Sequence, residues 1–148
     1  MSRFLSQAEA QALFEMEKRR QTDQLWQLPN AGGGLSVPLI STSATEAFHL
    51  DIRRSRMELR KGTVQNRART NIVLARIDFG GSPHRNPDDE EIPCPHIHLY
   101  REGFGDRWAY PIDPEIFTDP TSHWQTLIDF MRFCNVIEPP NFERGLFS

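Results

Sequence analysis

The chain has 148 residues, 38% apolar and 25% charged, the makeup of one globular domain able to build a core without disulfides or metal staples. No apolar run reaches membrane-spanning length, Met1 to Leu5 opens no signal peptide, and two isolated cysteines, Cys94 and Cys134, argue against a disulfide framework or a structural zinc site. A reducing cytoplasmic setting is expected, and the net charge of −3 argues against a protein that coats nucleic acid through overall basicity.

Ser6-Gln7-Ala8-Glu9 has capping-box spacing, and Leu5, Ala8, Ala12, Leu13 and Met16 continue at helical intervals, which predicts a first helix to about Arg20. Asn30 to Gly34 is rich in glycine but lacks the Lys-Ser/Thr of a P-loop and the spacing of a dinucleotide fingerprint, so it is given no phosphate role. Further on the period becomes two. Phe48, Leu50 and Ile52 alternate with His49, Asp51 and Arg53, and Met57 and Leu59 alternate with Arg56, Glu58 and Arg60. Ile72 to Phe79, interrupted by Arg76 and Asp78, reads as a central strand, and Gly80 to Pro95 as a long acidic, proline-rich loop. Ile97 and Leu99 alternate with His96, His98 and Tyr100, and a short strand follows around Arg107 to Tyr110. A second helix, Ser122 to Asn135, carries Trp124, Leu127, Ile128 and Met131 as its apolar stripe, and Pro139-Pro140 ends it. The expected fold is α+β: one domain over 1–148, an antiparallel meander of four to five strands, with the N-terminal and C-terminal helices packed on one face.

The charge is unevenly laid out. Between Arg53 and Arg76 stand eight cations and one acid, so this segment carries +7 and the remainder −10. Seven of the eight are arginines, whose fork grips phosphate through two hydrogen bonds at once, and such a local field suits a polyanion. The acidic run Asp88 to Glu91 follows shortly after and is a candidate mask for the basic face. The plainer reading is a solvated sheet face whose arginines pair with the chain's own acids.

The densest chemistry lies in Pro95-His96-Ile97-His98-Leu99-Tyr100-Arg101-Glu102-Gly103. On a continuous strand His96, His98, Tyr100 and Glu102 share one face. Histidine titrates near neutrality, so His96 and His98 are candidate acid and base for cleaving a ribose phosphodiester, with Tyr100 orienting or donating a proton and Glu102 beside them. Arg53, Arg60, Lys61, Arg67 and Arg85 are the candidate phosphate ligands, and Trp108 is the candidate for stacking on a base. This chemistry needs neither metal nor cofactor. A weaker alternative uses a metal: His-x-His with Glu102 is a partial cupin half-motif, without the preceding glycine or a later histidine. The plain structural alternative is that the histidines only hydrogen-bond neighbouring strands, and Cys94 reads as a small buried group rather than a nucleophile.

The segment Phe48 to Tyr110 resembles a family of small uncharacterised proteins from phages and other bacterial mobile elements. The parts that carry the resemblance are Leu50-Asp51-Ile52-Arg53-Arg54, Gln65-Asn66-Arg67, Arg76-Ile77-Asp78, His84-Arg85-Asn86-Pro87-Asp88 and Pro95 to Gly103. The resemblance implies a genetic setting inside a bacterial host, where small accessory proteins are toxins or counter host defence. The expected function is therefore an RNA-cleaving, toxin-like endoribonuclease with an antitoxin partner. The alternative is a non-enzymatic phage protein that inhibits a host defence complex or sequesters a nucleotide. Expected partners are RNA or a nucleotide phosphate, an antitoxin or host defence protein, and a second copy of the chain, with no membrane.

Overall fold

The computed structural model describes residues 4–144. Helix α1, Gln7–Glu15, begins as its sequence requires: Ser6 Oγ accepts from Glu9 N at 3.1 Å and Glu9 Oε1 accepts from Ser6 N at 3.1 Å. It stops five residues short of Arg20, because Met16 turns extended and the chain enters strand β1, Lys18–Arg20. Apolar spacing alone did not reveal that stop. Lys18, fully buried, draws the chain inward to carbonyl partners that no helical continuation would supply.

Strand β2 is Leu25–Gln27, and β3, Gly34–Ser41, leads into an antiparallel run of β4, Ala47–Arg54, β5, Gly62–Ala68, and β6, Ile72–Phe79. A small hairpin of β7, His84–Arg85, and β8, Glu91–Ile92, interrupts the run, and β9, His96–Leu99, and β10, Ala109–Pro111, then extend the sheet beyond β6. Helix α2, His123–Phe133, is capped by Ser122 and followed by β11, Val136–Glu138, and β12, Asn141–Glu143. The main sheet has eight strands in the order β10-β9-β6-β5-β4-β3-β1-β11, antiparallel except where β11 joins β1, and β12 pairs with β2 separately.

The α+β class holds, but the sheet is larger than four to five strands. Strands β3 and β5 carry Pro38, Gly62, Asn66 and Ala68, which blur the apolar alternation that marks a strand, and β1 and β11 span only three residues each. The alternation over Arg56 to Arg60 is not a strand. Arg54 already pairs with Gly62, so residues 55–61 must turn, and Met57 and Leu59 stand 85% and 67% exposed. Gly80 to Pro95 is less open than a plain loop, being built on the β7–β8 hairpin.

One face of the sheet is apolar. Phe48, Leu50, Ile52, Val64, Ile77, Phe79 and Ile97 pack with Ala10 and Leu13 of α1 and Leu127, Phe130 and Met131 of α2 in one core. The opposite face is left to polar side chains. Among the described residues, no helix is long and apolar enough to cross a membrane.

Candidate functional site

Strict alternation places two polar rows side by side across five strands of the open face. Register runs Ser36, Asp51, Gln65, Arg76, His98 in one row and Gly34, Arg53, Thr63, Asp78, His96 in the next. Each polar residue therefore meets another directly across a strand.

The histidine end of these rows is a connected network. Asp78 Oδ2 lies 3.2 Å from both His96 Nε2 and His98 Nε2, while Thr63 Oγ1 donates to Asp78 Oδ1 at 3.1 Å. Arg76 ion-pairs with Asp78 at 3.2 Å and Asp106 at 3.0 Å, and its Nη2 reaches His98 Nε2 at 3.0 Å. The second nitrogens of the two imidazoles face main-chain carbonyls, His96 Nδ1 at 3.3 Å from Pro93 and His98 Nδ1 at 2.8 Å from Asp106. Burial by itself would raise the Asp78 carboxyl, but the surrounding His96, His98 and Arg76 outweigh it and hold the group well below the usual carboxylate range. His96 and His98 are only 2% and 1% exposed, whereas the Asp78 side chain keeps about a quarter of its surface (24%) open.

The 80–95 segment covers this end. His84 sits over the pair, its ring centroid 4.6 Å from that of His98 and 5.9 Å from that of His96, and its Nε2 bonds the Arg107 carbonyl at 2.8 Å. Asn86 fastens the cover, its side chain bonding both Ala109 N (2.8 Å) and Ala109 O (3.0 Å) as a strand would. Asn86→Ala removes both bonds and strands two buried backbone groups of β10. It is expected to cost about 2 kcal/mol. Hydrogen exchange should then quicken at Ala109 and across 82–94 while β4 and β5 stay protected. Unchanged exchange in the cover would contradict its fastening by Asn86.

Two of the four expected catalytic side chains lie elsewhere. The β9 strand ends at Leu99, and the chain turns through Gly103, at φ +84°, and Gly105, so strand alternation does not carry past that point. Tyr100 goes instead to the core side, where its hydroxyl accepts from Leu5 N at 2.5 Å and donates to Leu5 O at 2.7 Å. Glu102 receives Gln7 N at 2.6 Å, and with Tyr100 it ties down the start of α1. Glu102 therefore does not supply the carboxylate of a cupin-like set. Asp78, from the neighbouring strand, stands in that position.

The expected phosphate ligands also separate. Arg53 and Lys61 line a groove of about 500 Å³ on the open face with Thr63, Gln65, Arg76, Asp78, Ser82 and Cys94. Arg53, Thr63 and Gln65 are shared with a second groove of about 530 Å³ that reaches Ser36, Asp51 and Arg67. Arg67 is engaged within the protein, bonding Asp51 at 2.8 and 3.0 Å and the Thr70 carbonyl. Arg60 lies in the exposed 55–61 turn, outside both grooves, and Arg85 points outward to Glu91 at 3.3 Å. Trp108 lines neither groove; the Arg101 guanidinium lies 4.1 Å from its ring centroid and Phe104 packs edge-on at 5.7 Å. Of Asp88 to Glu91, only Glu91 forms an ion pair among the described residues, with Arg85, so the acidic run does not neutralise the groove's cations. Cys94 is half-buried, its Sγ receiving Gly81 N at 3.2 Å, and burial pushes its thiol up, away from a nucleophilic thiolate.

Asp51 shows how the face is held together. Burial would raise its carboxyl, but bonds from Arg67, Gln65 and Ser36 win and hold it below its ordinary value of 3.8. The folded state thus binds this proton less tightly than the unfolded chain, so the stabilisation is present above that value and lost as pH falls through the folded pKa. Asp51→Asn should be less stable than the parent by about 1 kcal/mol at neutral pH. Denaturation curves of the two should converge in acid; a gap that persisted there would contradict the assignment.

Arg76, Asp78, Thr63 and Asp106 were missed as site residues. The available signal was Arg76-Ile77-Asp78, two charges on one side of an otherwise apolar strand. Asp106 carried no pattern of its own. The chain belongs to a family of unknown function (DUF6978), whose model matches residues 5–136. The search of curated proteins and the search of solved structures gave no match.

Proposed function

We propose that the chain binds a phosphorylated ligand, a nucleotide or a stretch of RNA, across the open face of the sheet, and holds it without cleaving it. The supporting observation is the groove bounded by Arg53 and Lys61. Neither cation has an ion pair among the described residues, and Asp78, the one carboxylate in the lining, is already paired with Arg76. Thr63, Gln65 and Ser82 supply neutral hydrogen-bonding groups beside them, and about 500 Å³ accommodates a nucleotide-sized ligand. For a protein of phages or mobile elements, such binding would keep a nucleotide signal from a host defence system.

Binding is favoured over hydrolysis because a general acid or base must reach the proton it moves, and the His96 and His98 rings are almost wholly covered. The test is a titration of ribonucleotides and a labelled RNA oligomer into the protein, with the ligand examined after long incubation. The expected result is saturable binding that weakens about tenfold between about 50 and 200 mM salt, as for two to three phosphate contacts. The ligand should be recovered intact. Absent or salt-independent binding would overturn the proposal, and cleaved RNA would replace it with the endoribonuclease reading.

A further inference from the structure

We propose that Asp78, His96 and His98 form a site for one divalent first-row transition metal ion. Their ligand atoms lie within 4.8 Å of one another, and both imidazole Nε2 atoms lie 3.2 Å from the same oxygen, Asp78 Oδ2. Ligand atoms held about 2.1 Å from a shared ion at tetrahedral to octahedral angles lie about 3.0–3.4 Å apart. Both imidazole-to-carboxylate separations fall in that range.

The hydrogen bonds lead to the same site independently. A main-chain carbonyl only accepts, so His96 Nδ1, facing Pro93 O, and His98 Nδ1, facing Asp106 O, each carry a proton. This outward bond fixes the tautomer of metal-binding histidines and turns the Nε2 lone pair inward. A guanidinium only donates, so Arg76 Nη2, 3.0 Å from His98 Nε2, requires a lone pair there. That lone pair then abuts the Asp78 carboxylate, acceptor against acceptor. Protonating Nε2 instead sets its N–H against the guanidinium. Either protonation state leaves one contact opposed. A cation bound by both Nε2 atoms and Oδ2 satisfies all three, provided Arg76 Nη2 turns away, and Arg76 keeps its 3.0 Å ion pair with Asp106. Asp78 also lines the groove, which places one ligand of the site at the groove wall.

The metal alone tests this, without any phosphate ligand, so the result is separable from the binding proposal above. Co²⁺ is titrated into the chelator-treated full chain and followed by its visible absorption, with Zn²⁺ as competitor. One equivalent should bind, and Asp78→Asn or His98→Asn should abolish it. Arg76→Gln removes the competing guanidinium and should tighten binding about tenfold. In the unaltered protein, Zn²⁺ should shift the Nε2 resonances of His96 and His98 while both Nδ1 atoms stay protonated, a readout that does not depend on any variant folding. Absence of one-equivalent binding, histidine resonances unmoved by Zn²⁺, or binding retained in a folded Asp78→Asn protein would overturn the proposal.

Discussion

Lys18→Met is expected to lower unfolding free energy by about 3 kcal/mol, although methionine is the more apolar residue and fits a similar volume. The ammonium is fully buried and donates to the carbonyls of Phe14 (2.8 Å), Met16 (2.9 Å) and Cys134 (2.7 Å). Phe14 and Met16 close α1 and Cys134 closes α2, so one cation satisfies the C-terminal ends of both helices, where their dipoles are negative. It also stands 4.9 Å from the Phe48 ring centroid, which faces it from β4. Two terms oppose one another in the substitution. Removing a buried charge recovers a desolvation penalty of a few kcal/mol, but three carbonyls then lose their donor at about 1–3 kcal/mol each. The second term is larger.

The pH dependence adds a signature. Burial pulls Lys18 from 10.5 down to about 8, so between those values the unfolded chain holds the proton more tightly and parent stability rises with pH. The variant lacks that rise. Burial pushes the neighbouring Cys134 thiol up to about 12, which lowers stability in alkali, but this group is present in both proteins. Urea denaturation at pH 7 and pH 9.5 should therefore show the gap widening at the higher pH. A variant as stable as its parent at both values would contradict the role given to Lys18.

The second large effect is on binding. Arg53→Ala combined with Lys61→Ala should weaken the phosphorylated ligand about a hundredfold or more, since each charge-assisted bond to phosphate is worth about 1.5–3 kcal/mol. Neither side chain has an ion pair among the described residues, so thermal stability should stay within about 0.5 kcal/mol of the parent. For single-stranded RNA the slope of log affinity against log salt should fall by about 1.4, or 0.7 per lost contact. Arg60→Ala and Arg85→Ala remove the same charge outside the groove and should change affinity less than threefold, roughly the effect of a screened surface charge. Equal losses in both pairs would mean that net charge, not the groove, attracts the ligand.

These expectations rest unevenly on sequence and structure. The capping box of α1, the second helix and the central strand Ile72 to Phe79 are legible because local hydrogen bonding and period decide them. Strands β3 and β5 were not, because Pro38, Gly62 and Asn66 occupy positions whose strand character comes from their neighbours across the sheet. His96 and His98 were legible as a pair on one face. Their partners Asp78 and Arg76 come from another strand 18 and 22 residues away, and only register brings them together. Tyr100 and Glu102 depart from the alternation for the converse reason: strand β9 ends at Leu99, and no period governs the residues after it. Arg67 shows that a cluster of cations in sequence need not be free, since its charge is held by Asp51 from the adjacent strand.

The most direct test of the proposed phosphate-binding face is a map of amide shifts as a ribonucleotide or short RNA is added to the labelled protein. The account predicts perturbations concentrated at Arg53, Thr63, Gln65, Gly81 and Ser82, on the groove side of the sheet, saturating together and fading as salt rises. Perturbations confined to α1, α2 and the core side, or none at saturating ligand, would contradict it.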